Sequence, residues 1–351
     1  MGSSRFDNAR ADAVQSGMSY ATFLCPIDEF QIAYTVICGQ TFRWRLDKDG
    51  WWACLLPVTD PDTGKVTQQL VRLWQDDEAV FYETSPKARD LGLIHDYFRL
   101  NVDLPALAAR FIADDFHIRD AMADFAGLRI LRQDPAECLF SFICTSAAPL
   151  YRIRRTVTAL CREYGDPYPG EVAGLTHPAF PPVHRLAEAS IPHLTSLGLG
   201  YRAAYVKGTA QAVMAHGGAS WLMGLRKRPY REAKSALMAL PGVGAKIADC
   251  VCLFSLDKDE AVPVDTHIRQ IAQRNYLADA PTTKSLTTAT YNTIADDFRA
   301  RFGGMAGWAQ QYLFFHDLFQ QGAWESYVAM YQPLTEPIRP LKKDGKKFRS
   351  P

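Results

Sequence analysis

The sequence predicts an α+β fold, in which a small antiparallel sheet leads a larger all-helical part. Two observations carry this. Between residues 30 and 84 apolar residues alternate at strand spacing between short turn signals. After Pro86 they recur at helical spacing, with Asp or Pro near several segment starts. Runs of strands followed by runs of helices make an α+β arrangement.

Taken in order, residues 1–22 are small and polar and are expected to be disordered. Thr41-Phe42-Arg43-Trp44-Arg45-Leu46 alternates, Asp47-Lys48-Asp49-Gly50 reads as a turn, and residues 51–56 resume the extended pattern. A loop carries Asp60-Pro61-Asp62-Thr63-Gly64. Residues 66–74 and 79–82 flank a turn at Asp76-Asp77, so four or more strands are expected. Helical spacing covers 88–100, 104–116, 119–125, 135–145 and 151–164. A Pro- and Gly-rich loop over 165–182 precedes further helices at 183–189, 191–196, 202–216, 218–225, 230–239, 245–256, 266–276, 285–302 and 305–319. The expected organisation is a sheet domain over 23–117, a helical domain over 118–325 and a tail over 326–351.

Composition bounds the function classes. Hydrophobic residues are 48% and charged residues 22% of 351, which excludes a wholly disordered or collagen-like chain and supports a sizeable core without staples. No run of apolar residues is long enough for a membrane span, and the first twenty residues lack an apolar signal core. The sixth residue is Phe6, not Ser or Thr, which argues against myristoylation. The eight cysteines show no Cys-x-x-Cys pair and no metal-site spacing, and read as reduced intracellular thiols packed as small apolar groups.

The net charge of +1 conceals a division. Residues 339–351 hold six basic residues against Asp344, leaving 33 basic and 37 acidic residues, a net of −4, elsewhere. Residues 201–234 carry a net +6 and residues 150–163 a net +3. A globally basic nucleic-acid binder is excluded, while a locally basic one is not. Either run reads equally as a solvated helix face.

The chemistry-bearing motif is Leu240-Pro241-Gly242-Val243-Gly244-Ala245-Lys246. A helix ends, a turn with two glycines follows, and a second helix begins near Ala245. Gly242, Val243 and Gly244 would expose main-chain N–H groups that can hold a phosphate oxygen, as in a helix-hairpin-helix, although an ordinary helix–helix turn has the same local pattern. Lys246 falls in the first turn of the second helix, where the positive helix end disfavours an ammonium and favours a nucleophilic amine; a surface lysine is the alternative. Asp265, in Val262-Pro263-Val264-Asp265-Thr266-His267, suits a helix N-cap. The same position would also place a carboxylate beside a reacting sugar.

These residues, from Ala239-Leu240-Pro241-Gly242-Val243-Gly244-Ala245-Lys246-Ile247-Ala248-Asp249-Cys250 through Asp257-Lys258 to Asp265-Thr266-His267, resemble the eukaryotic-type 8-oxoguanine DNA glycosylase/AP lyases of the helix-hairpin-helix-GPD superfamily. Gly39-Gln40-Thr41-Phe42-Arg43-Trp44, Leu131-Arg132-Gln133-Asp134-Pro135, Cys138-Leu139-Phe140-Ser141-Phe142-Ile143-Cys144, Leu197-Gly198-Leu199-Gly200-Tyr201-Arg202-Ala203 and Gly307-Trp308-Ala309-Gln310 extend the likeness in order over both expected domains. The resemblance implies a TATA-binding-protein-like sheet domain before the helical one. It implies an enzyme that flips 8-oxoguanine, or ring-opened formamidopyrimidine-guanine, out of double-stranded DNA. Lys246 would expel the base through a Schiff base with Asp265 assisting, and β-elimination would nick the strand, with no metal and no redox cofactor.

By the same resemblance, the Gly39 carbonyl reads the hydrogen on N7 of the oxidised base, Cys250 and Phe314 sandwich it, Gln310 reads its Watson–Crick edge and Pro263 lines the pocket. A strand-end turn is the alternative for Gly39, and core packing for Cys250, Pro263, Gln310 and Phe314. His267 matches a phosphate contact, Arg152 and Arg202 match contacts to the orphaned cytosine, and Tyr201 matches a wedge into the base stack. Ala147-Ala148-Pro149 departs from the family, which typically shows three asparagines there; Ala147 cannot donate the amide hydrogen bond to the cytosine. Phe254 and Ile268 are apolar substitutions near the pocket. A nuclear location in a eukaryote (otherwise cytoplasmic or nucleoid), a monomer and a downstream AP endonuclease are expected, with the basic tail as an import signal, a DNA tether or both. An endonuclease-III type would usually carry an iron–sulfur cluster, yet no cysteine follows Cys252; an alkyl-adenine type lacks the lysine. A DNA-binding scaffold without activity, and a Schiff-base metabolic enzyme, are the remaining rivals.

Overall fold

A computed structural model describes residues 20–59, 66–86, 91–146, 148–168, 178–277, 286–320 and 330–331. Its strands β1 (Ala21–Leu24), β2 (Arg45–Leu46), β3 (Trp52–Thr59), β4 (Val66–Gln75) and β5 (Ala79–Ser85) form one antiparallel sheet in the order β1-β5-β4-β3-β2. β3 and β4 pair from Trp52↔Leu73 to Thr59↔Val66, a register that sends Cys54, Leu56, Val71 and Leu73 into the main core. Leu55 and Leu70 point the other way and cover a small cluster with Ala179. The alternation legible in the sequence is therefore the two faces of this sheet. Its turns are held as their residues require: Asp47 Oδ1 accepts from the N–H groups of Asp49 and Trp51, and Asp76 Oδ1 from those of Glu78 and Ala79.

Three expectations are corrected here. Ile32–Ile37 is a helix, α1, not part of a strand; Ile32, Thr35, Val36 and Ile37 are all buried, and Gln31 caps its start by accepting from Ala33 N–H. Six residues are too few to separate helical from strand spacing. Of the alternating stretch 41–46 only Arg45 and Leu46 pair as a strand. Ala21 and Thr22, within the stretch expected to be disordered, pair with Tyr82 and Phe81 of β5. The expected loop at 60–64 lies outside the described residues, as do residues 1–19, all of the tail but Met330 and Tyr331, and Ala147.

The helices follow the predicted spacing within a few residues: α2 (Gly92–Phe98), α3 (Leu104–Asp114), α4 (Ile118–Asp124), α5 (Pro135–Ile143), α6 (Leu150–Tyr164), α7 (Val183–Glu188), α8 (Ile191–Leu194), α9 (Arg202–Ala215), α10 (Ala219–Gly224), α11 (Tyr230–Met238), α12 (Ala245–Ser255), α13 (Thr266–Asn275), α14 (Thr288–Phe302) and α15 (Ala306–Phe319). Asp103 and Asp134 cap α3 and α5, each followed by proline in the first turn, which explains why those starts were readable. Among the described residues no helix is long and apolar enough to cross a membrane.

One hydrophobic core runs through both parts, joining Phe30, Val36, Trp44 and Val71 to Phe140, Leu253, Trp308 and Phe315. Trp44 is fully buried and donates through Nε1 to Tyr97 Oη at 3.1 Å; truncating it to alanine would cost about 3–5 kcal/mol. Polar struts cross the same seam. Arg43 pairs with Glu137 of α5 and donates to the Leu55 carbonyl at 2.8 Å, all of it buried. These contacts fix the strand-side loop containing Gly39 against the helical part.

Candidate active site

Gly39 follows α1 at φ +84°, a conformation that favours glycine. Its neighbours are clamped from the helical part. Gln311 donates to the Cys38 carbonyl at 2.9 Å and Gln133 to the Gln40 carbonyl at 2.7 Å, while the buried Gln40 side chain bonds Thr35, Arg129 and Leu131. No described residue donates to the carbonyl of Gly39 itself. A rigid main-chain acceptor is thus held at the edge of a cavity.

The hairpin between α11 and α12 is built as its glycines demand. Gly242 has φ +75°, and a Cβ there would lie 2.4 Å from Tyr205 Cγ, so a side chain could enter only by displacing Tyr205. Thr209 of α9 donates to the Pro241 carbonyl at 2.5 Å, Val243 N–H bonds the Leu240 carbonyl at 3.2 Å, and Gly244 caps α12 without a side chain. The first N–H groups of α12 therefore have no side-chain cap.

Lys246 sits in the first turn of α12. Its Nζ lies 5.0 Å over the ring of Phe142, whose negative face attracts an ammonium. Phe142 in turn stacks on Phe254, with centroids 5.6 Å apart and planes at 19°. One helical turn beyond Lys246 is Cys250, buried; burial pushes its thiol up to about 11, with Lys246 pulling the other way.

Asp265 is the N-cap that its position suited, and it also lines the cleft. Its Oδ1 accepts from Ile268 N–H at 2.9 Å and so caps α13, while no described residue donates to Oδ2. On α15, Gln310 is buried and its Oε1 has no hydrogen-bond partner in the described structure. Phe314, one turn later, presents Cε1 3.7 Å from where a Cβ on Gly39 would stand.

Gly39, Lys246, Cys250, Pro263, Asp265, Gln310 and Phe314, seven residues singled out from the sequence, line one cleft with about 300 Å³ of empty space. Phe142, Phe254 and Gln311 complete it. Phe142 and Gln311 were missed and Phe254 was left without a role, because aromatic and amide residues on buried helices carry no mark distinguishing a pocket wall from core. His267 stands just outside: its ring meets Phe314 edge-on at 5.8 Å and its Nδ1 lies 3.2 Å from Asp317 Oδ2.

The remaining residues gather elsewhere. Arg152 and Tyr201 are exposed, Tyr201 crossing Tyr205 at 85° with centroids 6.1 Å apart. Arg202 is buried and spends its guanidinium on the carbonyls of Ser146 and Leu199, the Nε bond to Ser146 measuring 2.8 Å. The internal basic runs are also less available than their count. Arg226 donates to the carbonyls of Ser255 and Gln133, Lys234 pairs with buried Asp249 at 2.8 Å, and Arg154 donates to the Trp44 carbonyl. Lys227, Arg228, Arg231, Arg152 and Arg162 remain exposed.

Comparison with known proteins agrees with this geometry. Residues 22–139 match the family model of the 8-oxoguanine DNA glycosylase N-terminal domain, and residues 140–297 that of the HhH-GPD superfamily base excision DNA repair proteins. The chain is 37% identical over 324 residues to the N-glycosylase/DNA lyase OGG1 of Arabidopsis thaliana, covering 89% of this chain and 82% of that protein. It is 33% identical over 321 residues to the N-glycosylase/DNA lyase of Saccharomyces cerevisiae, covering 82% and 83%. Among solved structures, the Clostridium acetobutylicum 8-oxoguanine glycosylase/lyase, in complex with double-stranded DNA containing cytosine opposite 8-oxoguanine, superposes with a TM-score of 0.71 at 26% identity, over 84% of this chain and 93% of that one.

Proposed function

The chain belongs to the N-glycosylase/DNA lyase family of 8-oxoguanine repair enzymes, and from that premise we propose how this molecule excises the oxidised base from double-stranded DNA and nicks the strand. The observation that carries the reading is the presence of Lys246 and Asp265 in one cavity with two acceptors, the Gly39 carbonyl and Gln310 Oε1, that have no hydrogen-bond partner among the described residues. 8-Oxoguanine presents a hydrogen on N7 and further donors on its Watson–Crick edge. It therefore satisfies both acceptors, whereas guanine would set its N7 lone pair against the Gly39 carbonyl. An unmet buried pair costs about 1–3 kcal/mol, or roughly 5–150-fold in discrimination.

The Lys246 amine attacks C1′ of the flipped nucleotide, and the glycosidic electron pair leaves with the base. Asp265 stabilises the positive charge developing on the sugar. Ring opening gives an imine between Lys246 and C1′; loss of a C2′ proton then expels the 3′ phosphate by β-elimination and cuts the strand. Cys250 and Phe314 hold the base between them, and Pro263 closes the wall. His267, fixed by Asp317, meets a phosphate beside the extruded nucleotide, and the N–H groups of the Gly242-Val243-Gly244 hairpin hold another. Arg152, Tyr201 and Arg202 face the opposite strand. Residues 23–117 supply Gly39, residues 118–325 the rest, and the basic tail 326–351 acts in nuclear import or as a DNA tether. The protein works as a monomer in the nucleus, and its nicked product passes to an AP endonuclease. The direct test is single-turnover excision from duplexes carrying 8-oxoguanine or guanine opposite cytosine. Release of 8-oxoguanine alone is expected, and release of neither base would overturn the reading.

A further inference from the structure

Behind α12 lies a buried polar knot that the chemistry above does not use. Asp249, three residues after Lys246 and fully buried, accepts from Tyr230 Oη at 2.6 Å through Oδ1. Through Oδ2 it accepts from Lys234 Nζ at 2.8 Å and Tyr291 Oη at 2.5 Å. Burial pushes the carboxyl above its ordinary value, and the Lys234 ammonium and the two hydroxyls pull against it. Tyr291, from α14, reaches further than the other two. Its oxygen accepts from Val264 N–H at 3.3 Å and lies 3.3 Å from the Val262 carbonyl.

Residues 262–264 carry Pro263 and lead directly into Asp265. One hydroxyl thus joins the helix that bears Lys246 and Cys250 to the strap that bears Pro263 and Asp265. Among the described residues, Tyr291 is the side chain hydrogen-bonded to both. The carboxylate at its other end is held by two further donors in a water-poor interior, where such bonds are strong and leave little freedom. A misplacement of about 1 Å between reacting groups can cost about a hundredfold in rate, so a link of this kind acts on chemistry and not only on stability.

We propose that Tyr291 is a positioning residue for base excision, its hydroxyl setting the separation between the Lys246 amine and the Asp265 carboxylate. The inference rests on the reading of those two residues as the reacting pair. Tyr230 supplies the control, since it donates to the same carboxylate and, among the described residues, makes no hydrogen bond to the strap.

Single-turnover excision of 8-oxoguanine opposite cytosine, affinity for a duplex bearing an uncleavable abasic-site analogue, and Tm would be measured for wild type, Tyr291→Phe and Tyr230→Phe. For Tyr291→Phe the excision rate is expected to fall about 10- to 100-fold with affinity unchanged, while Tyr230→Phe keeps the wild-type rate. An unaffected Tyr291→Phe variant, or equal rate losses in both variants that track Tm, would overturn the proposal. If wild type itself released no base, the functional reading would fall and the inference with it. An active wild type beside an unaffected Tyr291→Phe variant overturns this inference alone.

Discussion

The cavity around Lys246 and the residues Arg152, Tyr201 and Arg202 are built on different principles. In the cavity, seven residues from α12, α15, the strap and the loop after α1 converge on one space. Two of its acceptors have no partner among the described residues, and its lysine is parked over an aromatic ring. Outside it, Arg202 is spent on the Ser146 carbonyl, Tyr201 bonds the same carbonyl at 3.3 Å, and Arg152 is exposed. On the proposed reading, base recognition is pre-organised, whereas opposite-strand recognition would require Arg202 and Tyr201 to exchange partners when DNA arrives. Pre-organised groups cost little reordering at the moment of reaction and so should dominate the rate.

Substitutions can break or sharpen this contrast. The largest effect is expected for Asp265→Asn. Asparagine caps a helix as well as aspartate does, so Tm should hold, while loss of the charge should reduce single-turnover excision by about 10²–10⁴-fold. A matching loss of Tm would mean that the cap alone mattered. Next is Gln310→Leu, which removes a buried acceptor that no described residue satisfies. Excision should fall roughly 5–150-fold while Tm rises by about 2 °C, a trade of stability for recognition. If Tm fell instead, Gln310 would be a structural residue.

A smaller change is expected on the opposite-strand side. Ala147→Asn should restore an amide donor and increase the preference for cytosine over adenine opposite the lesion, by about 5-fold for one hydrogen bond. Equal preference in both proteins, measured against all four opposing bases, would sink the idea. The smallest effect concerns Cys250. With its thiol pushed up to about 11 by burial, it stays protonated at neutral pH, and alkylation should accelerate only as pH approaches that value. The half-buried Cys25 should be labelled first; rapid labelling of Cys250 at pH 7 would show an open pocket.

Much of this was legible in the sequence, for identifiable reasons. Helices of nine or more residues repeat their apolar period often enough to be read, and Asp-Pro starts mark α5 outright. The six-residue α1 does not repeat its period and stands beside an alternating stretch, so it reads as extended, whereas the equally short α7 and α10 stand among helices. Lys246 and Asp265 stood out because a two-glycine hairpin and a capping aspartate are local patterns. Phe142 and Gln311 did not, since a pocket wall differs from core only in what lies opposite. The Tyr291–Asp249 link spans 42 positions, and no local spacing announces it. Counting charge overstated the basic runs because Lys234 and Arg226 are consumed inside the fold, which only burial and partners reveal.

The central claim is that Lys246 forms a covalent imine with the damaged strand. Borohydride reduction during reaction with an 8-oxoguanine duplex tests it most directly. Wild type is predicted to yield a stable protein–DNA adduct that Lys246→Gln does not form. An adduct that persists in Lys246→Gln, or none from active wild type, would contradict the account.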